Sequence, residues 1–306
     1  MTPEAPITLE EALHRLEQQR KTQDREPFDV VRYGEWLLEH RQVGALGQDV
    51  WAFLEQLGLA AAELGKIDLA ELCLSRLVAR FNDSIRALLL KGVTLEVEGR
   101  FDEAKRVYEL LIRKEPSNML AQKRRIACIK SAPNGIALAT EGVAEFVDIF
   151  PSDQESWLEL ASLYLQQNMY AQAVFALEEL ILLAPQNSFY LLKYAETLYT
   201  AGDVAHAYKI YLRILELGEG NLAPESPHKM DRVKGPWVRT LWGLKMCTGQ
   251  LMGTTAPMEA NVTSVESIDT LVTKLLLESV YAPNADPSTP ASCRAAVRAV
   301  LTPSSS

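Results

Sequence analysis

The fold of this chain is decided by one stretch, residues 154–187, which reads QESWLELASLYLQQNMYAQAVFALEELILLAPQN. Its apolar residues recur three and four positions apart in two blocks, a spacing typical of two amphipathic helices. The first block carries Trp157, Leu160, Ala161 and Tyr164, and the second carries Ala173, Leu177 and Leu180. Pro185 closes the second block, because proline cannot continue a helix. The stretch therefore predicts one helical hairpin.

The same pattern recurs along the chain at a period of 34 residues, with one extra residue. Five repeats align, and their first positions are Leu54, Leu88, Lys123, Trp157 and Leu191. This period and this order of Trp, Leu, small and Tyr residues are typical of tetratricopeptide repeats. The middle repeat lacks the aromatic residues, and its neighbours fix its register. The sequence predicts an all-α tetratricopeptide-repeat solenoid, a right-handed superhelix of helical hairpins with helical caps.

Small residues occupy one position in each helix of every repeat. They are Gly58, Gly92, Ala127, Ala161 and Ala195 in the first helices, and Ala70, Ala104, Ala139, Ala173 and Ala207 in the second. Small side chains allow two helices to approach closely. Because one hairpin cannot bury its own apolar stripe, we expect the hairpins to stack on each other.

The pattern divides the chain into five parts. We predict N-terminal capping helices over 1–46, five repeats over 47–221, a Pro-rich linker over 222–236, a degenerate helical hairpin over 237–282, and a tail over 283–306 in which one short helix could form. At the front, Thr8 and Glu11 have the spacing of a capping box that opens a helix.

Composition and motifs disfavour several function classes. The net charge of −9 argues against binding nucleic acid, because phosphates need a cationic surface. The four cysteines are scattered, so neither a zinc site nor a disulfide framework is expected. The sequence has no GxxxxGK[ST], GxGxxG, GxSxG or HExxH motif. We therefore predict no enzyme activity, no catalytic residue, no cofactor, no metal and no small-molecule substrate.

The sequence also shows no membrane-targeting signal. The N-terminal residues show no secretory signal, and no apolar run approaches the roughly 18 to 20 residues that span a bilayer. The sequence predicts a protein that is soluble or peripheral on a membrane.

A partner-binding groove is predicted on the first helices, which line the concave surface of such a stack. Residues one and five positions after each repeat start would point into it: Glu55, Leu59, Leu89, Val93, Arg124, Cys128, Leu158, Ser162, Leu192 and Glu196. This mixed and fairly apolar set suits a helix or loop of a protein partner. Co-chaperones that bind acidic chaperone tails place Lys and Asn at these positions. This chain does not, and binding of chaperone tails is therefore only a minor alternative.

A basic cluster comprises Lys123, Arg124, Arg125 and Lys130. Two interpretations stay open for it. It is either a solvated helix face or a docking patch for an acidic partner or for lipid headgroups.

With the repeats placed, seven short stretches carry a more specific resemblance. They are GQDVW at 47–51, DLA at 68–70 with Cys73 and Leu74, Tyr108 with PSN at 116–118, QKRRIA at 122–127, DQESW at 153–157, ALEEL at 176–180 and YAE at 194–196. In these stretches the chain resembles the family of subunit 2 of the endoplasmic reticulum (ER) membrane protein complex. The resemblance covers about residues 47 to 215 and fades over 222–236 and 283–306.

This resemblance implies a scaffold without catalysis of its own. Such a subunit would lie on the cytosolic face of the ER membrane, peripheral to it through its partners. Those partners would be protein subunits of a multi-subunit complex that inserts transmembrane segments, bound through their cytosolic parts. The alternative from the repeats alone is a free cytosolic adaptor or co-chaperone.

Overall fold

The computed structural model of the chain describes residues 7–22, 26–220, 235–253, 265–282, 285 and 289–302. These residues contain the following α-helices: α1 (Leu9–Thr22), α2 (Pro27–Glu39), α3 (Val50–Glu63), α4 (Ile67–Arg80), α5 (Ile85–Val97), α6 (Phe101–Lys114), α7 (Met119–Lys130), α8 (Ile136–Ile149), α9 (Gln154–Gln166), α10 (Tyr170–Leu183), α11 (Ser188–Ala201), α12 (Val204–Gly220), α13 (Pro236–Gly253), α14 (Val265–Leu275) and α15 (Ala291–Leu301). A 3-10 segment, Gln42–Asp49, precedes α3, and α14 continues as a π-helical turn over Leu276–Val280. The described residues hold no β-strand, which confirms the predicted all-α class.

Two compact units make up the chain, residues 1–146 and residues 147–306. The first unit contains α1 to α7 and most of α8. The second contains the end of α8 and the helices from α9 to α15.

The core of the first unit lies between its paired helices. Phe53 and Leu57 of α3 are fully buried, as are Ala70 and Cys73 of α4 and Leu16 of α1. Leu16, Leu57 and Ala70 belong to the predicted apolar stripes, whereas Phe53 and Cys73 lie beside them. Removal of apolar surface from water is the main force that holds such hairpins together.

Local interactions fix where the helices of this unit begin and how closely they pack. The Glu11 backbone N–H donates to Thr8 Oγ1 at 3.3 Å, so the predicted cap at the start of α1 forms. Gly92 of α5 lies directly against the Tyr108 ring, because a Cβ added at Gly92 would stand 2.5 Å from Tyr108 Cε1. A glycine is therefore required there for α5 and α6 to approach.

The predicted register of the middle repeat is wrong by one residue in its first helix. Gln122, and not Lys123, takes the starting position, because Gln122 Nε2 donates to Pro116 O at 2.6 Å. Trp157 Nε1 makes the same bond to Pro151 O at 2.8 Å, also across six residues. The amide thus replaces the indole as the donor that ties the helix start to the preceding turn.

This shift changes which residue meets the second helix. Ile126 is buried and faces Gly142 of α8, whereas Ala127, expected at that contact, is exposed. The extra residue of the repeat lies instead in the turn between α7 and α8, where Asn134 adopts a φ of 60°. A short polar side chain tolerates this left-handed conformation better than most residues do.

The second unit repeats the same packing. Ala161 of α9 is fully buried, as are Ala173, Leu177 and Leu180 of α10. Further along, Gly243 of α13 lies against the Tyr211 ring, with an added Cβ only 2.3 Å from Tyr211 Cζ. This close contact joins α13 to α12.

Polar bonds join α13 to α14. Lys245 Nζ donates to both Asp269 carboxylate oxygens at 2.9 and 2.7 Å, and Thr248 Oγ1 donates to Asp269 Oδ1 at 2.6 Å. Because Thr248 is fully buried and the Lys245 and Asp269 side chains are mostly buried, these satisfied bonds fix α14 in one position on α13.

Two predicted segments fall largely outside the described residues. Of the linker, only residues 235 and 236 are described, and of the tail only 285 and 289–302. In the described tail, α15 buries Val297 and Leu301. Among the described helices, none combines the length and apolar character needed to cross a membrane.

Candidate protein-binding surface

The ten predicted groove positions lie on α3, α5, α7, α9 and α11, and they differ in burial. Val93, Cys128 and Leu192 are buried at 5, 4 and 2 % exposure. The other seven, Glu55, Leu59, Leu89, Arg124, Leu158, Ser162 and Glu196, are half-buried. Contact with a partner by these seven side chains stays a prediction, and the three buried ones support the surface from below.

In the first unit, an ion pair joins the first helices of successive repeats. Arg86 Nε of α5 donates to Glu55 Oε1 of α3 at 2.9 Å, and Arg86 Nη2 contacts Glu55 Oε2. This paired geometry is the strong form of an Arg–carboxylate contact. The Glu55 carboxylate is therefore already neutralised by its own chain.

Two apolar concavities adjoin this ion pair, and Glu55 and Arg86 line both. The larger, about 460 Å³, includes Leu59, Val30 and Pro27 in its wall. The smaller, about 200 Å³, includes Trp51 and Phe81, whose rings meet edge to face at 5.3 Å, and Leu77. Each concavity has room for apolar side chains of a bound segment, and the ion pair supplies a polar contact beside both.

A second ion pair joins the next two first helices. Arg124 Nη1 of α7 lies 2.8 Å from Glu96 Oε2 of α5, and both side chains are mostly buried. Cys128 Sγ lies 3.8 Å from the other Glu96 oxygen. Burial, with the nearby Glu96 charge, raises the pKa of the Cys128 thiol to about 12, so the thiol stays protonated at neutral pH.

The basic cluster does not form one uniform cationic surface. Arg124 is paired with Glu96, and Lys123 Nζ lies over the Phe146 ring at 5.8 Å from its centre. Arg125 is half-buried, with its Nε inside the protein, and Lys130 is exposed. Both interpretations of the cluster stay open, but the charge of Arg124 is used within the chain.

In the second unit, polar contacts again join successive first helices. Lys193 Nζ of α11 donates to Ser162 Oγ of α9 at 2.8 Å. Arg239 Nη2 of α13 donates to both Glu196 oxygens at 2.7 and 2.8 Å. A concavity of about 350 Å³ lies here, and Phe189, exposed at its edge, is part of its wall.

The partners Arg86, Glu96, Lys193 and Arg239 were not predicted from the sequence. A signal for two of them exists, since Glu55 and Arg86, like Ser162 and Lys193, lie 31 residues apart. The pairs Glu35–Lys66 and Asp83–Lys114 have the same separation. In these four pairs an acceptor is followed 31 residues later by Lys or Arg, about one helical turn short of the full period.

Reactive chemistry is not favoured by the side chains of this surface or of the core. Burial raises the pKa of the Cys73 thiol to about 11 and that of the Cys247 thiol to about 12. Within the described ranges, no group of three or more His, Cys, Asp or Glu side chains could hold a metal ion. What the surface offers is apolar concavities beside ion pairs already satisfied, an arrangement suited to binding a peptide segment.

The comparison with known families gives a match over the repeats. The model of the EMC2 TPR-like repeat domain matches residues 74–208. ER membrane protein complex subunit 2 of Xenopus tropicalis is 35% identical over 219 residues, 71% of this chain and 73% of that protein. The chain belongs to the family of ER membrane protein complex subunit 2. The resemblance found in the sequence is thereby confirmed.

A second relative and a solved structure agree with this assignment. ER membrane protein complex subunit 2-B of Xenopus laevis is 37% identical over 198 residues, 65% of this chain and 66% of that protein. Among solved structures, the C-terminal part of a TPR repeat-containing protein from Cytophaga hutchinsonii covers 85% of this chain and 96% of its own, with a TM-score of 0.57 and 13% identity. That likeness concerns the fold alone, and it confirms the tetratricopeptide-repeat architecture predicted from the period.

Proposed function

We propose that this chain is a non-catalytic scaffold subunit of the ER membrane protein complex. It lies on the cytosolic face of the ER membrane and binds cytosolic parts of membrane-embedded subunits, which supports insertion of transmembrane segments. The observation that carries the proposal is the 35% identity to the Xenopus tropicalis subunit over 73% of its length. The repeat fold supports a binding role, because stacked hairpins present long continuous surfaces to partners.

The groove positions are the proposed contact surface. The half-buried residues Leu59, Leu89 and Leu158 offer apolar contact, while Glu55 and Glu196 are held by arginines of the same chain. A segment with apolar anchors fits this surface better than an acidic tail, which needs unpaired cations. The basic cluster 123–125 with Lys130 is a secondary candidate contact.

The proposed cytosolic placement has one supporting observation in the side chains. All four cysteines are free thiols, and three of them are buried. Reduced cysteines are usual in the cytosol, where thiol reductants keep disulfides from persisting.

Affinity capture from membranes tests the proposal. The tagged chain is recovered from membranes solubilised in mild detergent, and the retained proteins are quantified by mass spectrometry. The expected result is stoichiometric recovery of several ER membrane proteins. Recovery of soluble chaperones alone would favour the free adaptor or co-chaperone instead.

A groove variant sharpens this test. We expect Leu59→Arg combined with Leu158→Arg to lower recovery of the membrane proteins at least tenfold, because two cations would face apolar anchors. The matched control is Ser75→Arg combined with Ala79→Arg, which places two cations on the exposed side of α4. Equal losses in both variants would contradict a role for the groove.

A further inference from the structure

The outward side of α10 is apolar although it faces solvent. Phe175 is 57 % exposed and Leu182 is 75 % exposed, and Leu183 beside them is exposed as well. The helix carries two charges, Glu178 and Glu179, and both are negative. A surface helix of a globular protein normally turns polar residues outward, so this face departs from the rule.

The repeat fold itself does not require these apolar residues. Helix α6 occupies the same place in its own repeat, and at the positions of Phe175 and Leu182 it carries Arg106 and Arg113, both exposed. Phe175 has a partial packing role, since its ring meets Trp157 edge to face at 6.4 Å. Leu182 is three-quarters exposed, so packing within the chain accounts for little of its presence.

The two apolar side chains and the acidic residues form one pattern. Phe175 and Leu182 are seven residues apart, which places them about 10 Å apart along one side of the helix. Glu178 lies between them, and its Oε1 accepts a hydrogen bond from Tyr194 Oη at 2.8 Å. The carboxylate is therefore held in place between the two apolar side chains.

We propose that this face of α10 docks an amphipathic helix of a partner protein. The partner helix presents apolar side chains two turns apart to Phe175 and Leu182, with Lys or Arg between them to meet Glu178 and Glu179. An anionic membrane surface does not fit, because both charges of α10 are negative and the chain carries −9 overall. This surface lies on a second helix of a repeat and is separate from the groove of the proposed function.

Site-specific photo-crosslinking in cells tests the proposal. A photoreactive phenylalanine analogue replaces Leu183, and in a second variant it replaces Lys114, the residue at the same repeat position in α6. The crosslinked segments are identified by mass spectrometry. The expected result, from Leu183 only, is a partner segment with apolar residues at helical spacing and Lys or Arg between them.

A binding measurement then separates this surface from others. A synthetic peptide of the crosslinked segment is titrated onto the purified full chain. Phe175→Arg combined with Leu182→Arg, which installs the residues of α6, is expected to weaken its affinity at least tenfold. Glu216→Arg on the exposed side of α12 changes the net charge by the same +2 and should leave the affinity unchanged.

Four results would overturn the proposal. They are a crosslink to lipid, a crosslink to a second copy or to a segment of this same chain, no crosslink above the Lys114 level, and equal weakening by Glu216→Arg. A circular dichroism spectrum equal to that of the parent chain and one cooperative thermal transition in both variants exclude misfolding as the cause of a loss; the lost Phe175–Trp157 contact accounts for a decrease of a few degrees in the double variant.

Discussion

Helices α6 and α10 occupy the same place in their repeats, and they agree on one side and differ on the other. Each has 14 residues. On the inner side, Ala104 corresponds to Ala173, Tyr108 to Leu177 and Leu111 to Leu180, and all six are fully buried. The inner side is therefore kept apolar in both repeats, because it forms the contact within the hairpin.

On the outer side the two helices have different chemistry. Where α6 carries Asp102, Glu103, Lys105, Arg106, Arg113 and Lys114, α10 carries Ala171, Gln172, Val174, Phe175, Leu182 and Leu183. The fold accepts both sets, since both helices form and pack. The comparison teaches that the inner side specifies the repeat, whereas the outer side is free to specify what the repeat contacts.

The largest expected effect tests the equivalence of the inner sides. Leu111→Ala and Leu180→Ala should each lower the free energy of unfolding by about 2–5 kcal/mol, because each leaves a cavity in a buried contact. Urea unfolding of the single variants, followed by circular dichroism, measures the loss. A loss below about 1 kcal/mol in one helix alone would mean that the two inner sides are not equivalent.

A smaller effect is expected where the inner sides differ. The second helix carries Tyr108 in one repeat and Leu177 in the other, and the first helix carries Gly92 and Ala161 opposite them. Gly92→Ala should cost about 1–3 kcal/mol, because the new Cβ overlaps the Tyr108 ring. Thermal and urea unfolding measure this cost.

Two further variants control that experiment. Tyr108→Leu added to Gly92→Ala recreates the Ala–Leu pair of the other repeat, so it should recover part of the lost stability. Ala161→Gly should cost only about 0.5–1 kcal/mol, the usual cost of glycine in a helix interior. If Tyr108→Leu does not improve Gly92→Ala, the clash is not the cause of the loss.

The inner sides could be predicted from the sequence because they repeat. A period of 34 residues fixed the buried positions of α6 and α10 without any structure. The same rule failed at Lys123, since periodicity locates an inserted residue only to within one repeat. The structure locates it in the turn at Asn134, and the hydrogen bond from Gln122 identifies the true start.

The polar contacts of the candidate site were less predictable, because different residue types form them in different repeats. Counting from the repeat start identified Glu55 and Glu196 but not Arg86 and Arg239, which bind them. Three of the ten groove positions proved buried. For Cys128 the reason is the register error, since a repeat start at Gln122 places Lys123 and Ala127 at the two offsets instead. The outer side of α10 gives no signal in the repeat pattern, since that pattern specifies only the positions that pack within and between hairpins.

The next smaller effect concerns the aromatic contact on the outer side of α10. Phe175→Arg should lower the free energy of unfolding by about 0.5–1.5 kcal/mol, because it removes the edge-to-face contact with Trp157. The reverse change in α6, Arg106→Phe, should be nearly neutral, because Leu88 and not a tryptophan occupies the position of Trp157 in that repeat. Urea unfolding of the two variants under identical conditions gives the comparison.

The smallest expected effect is at Leu182, and it separates packing from docking. Leu182→Arg should change the free energy of unfolding by no more than about 0.5 kcal/mol, because the side chain is 75 % exposed and arginine is a good helix former. Arg113→Leu in α6 should be equally neutral. A loss above about 1 kcal/mol for Leu182→Arg would mean that this leucine packs within its own chain, and the outer side of α10 would then be part of the fold. If neither Leu182→Arg nor Arg113→Leu changes the free energy of unfolding, Leu182 has no role in folding, which is the condition that a docking surface on α10 requires.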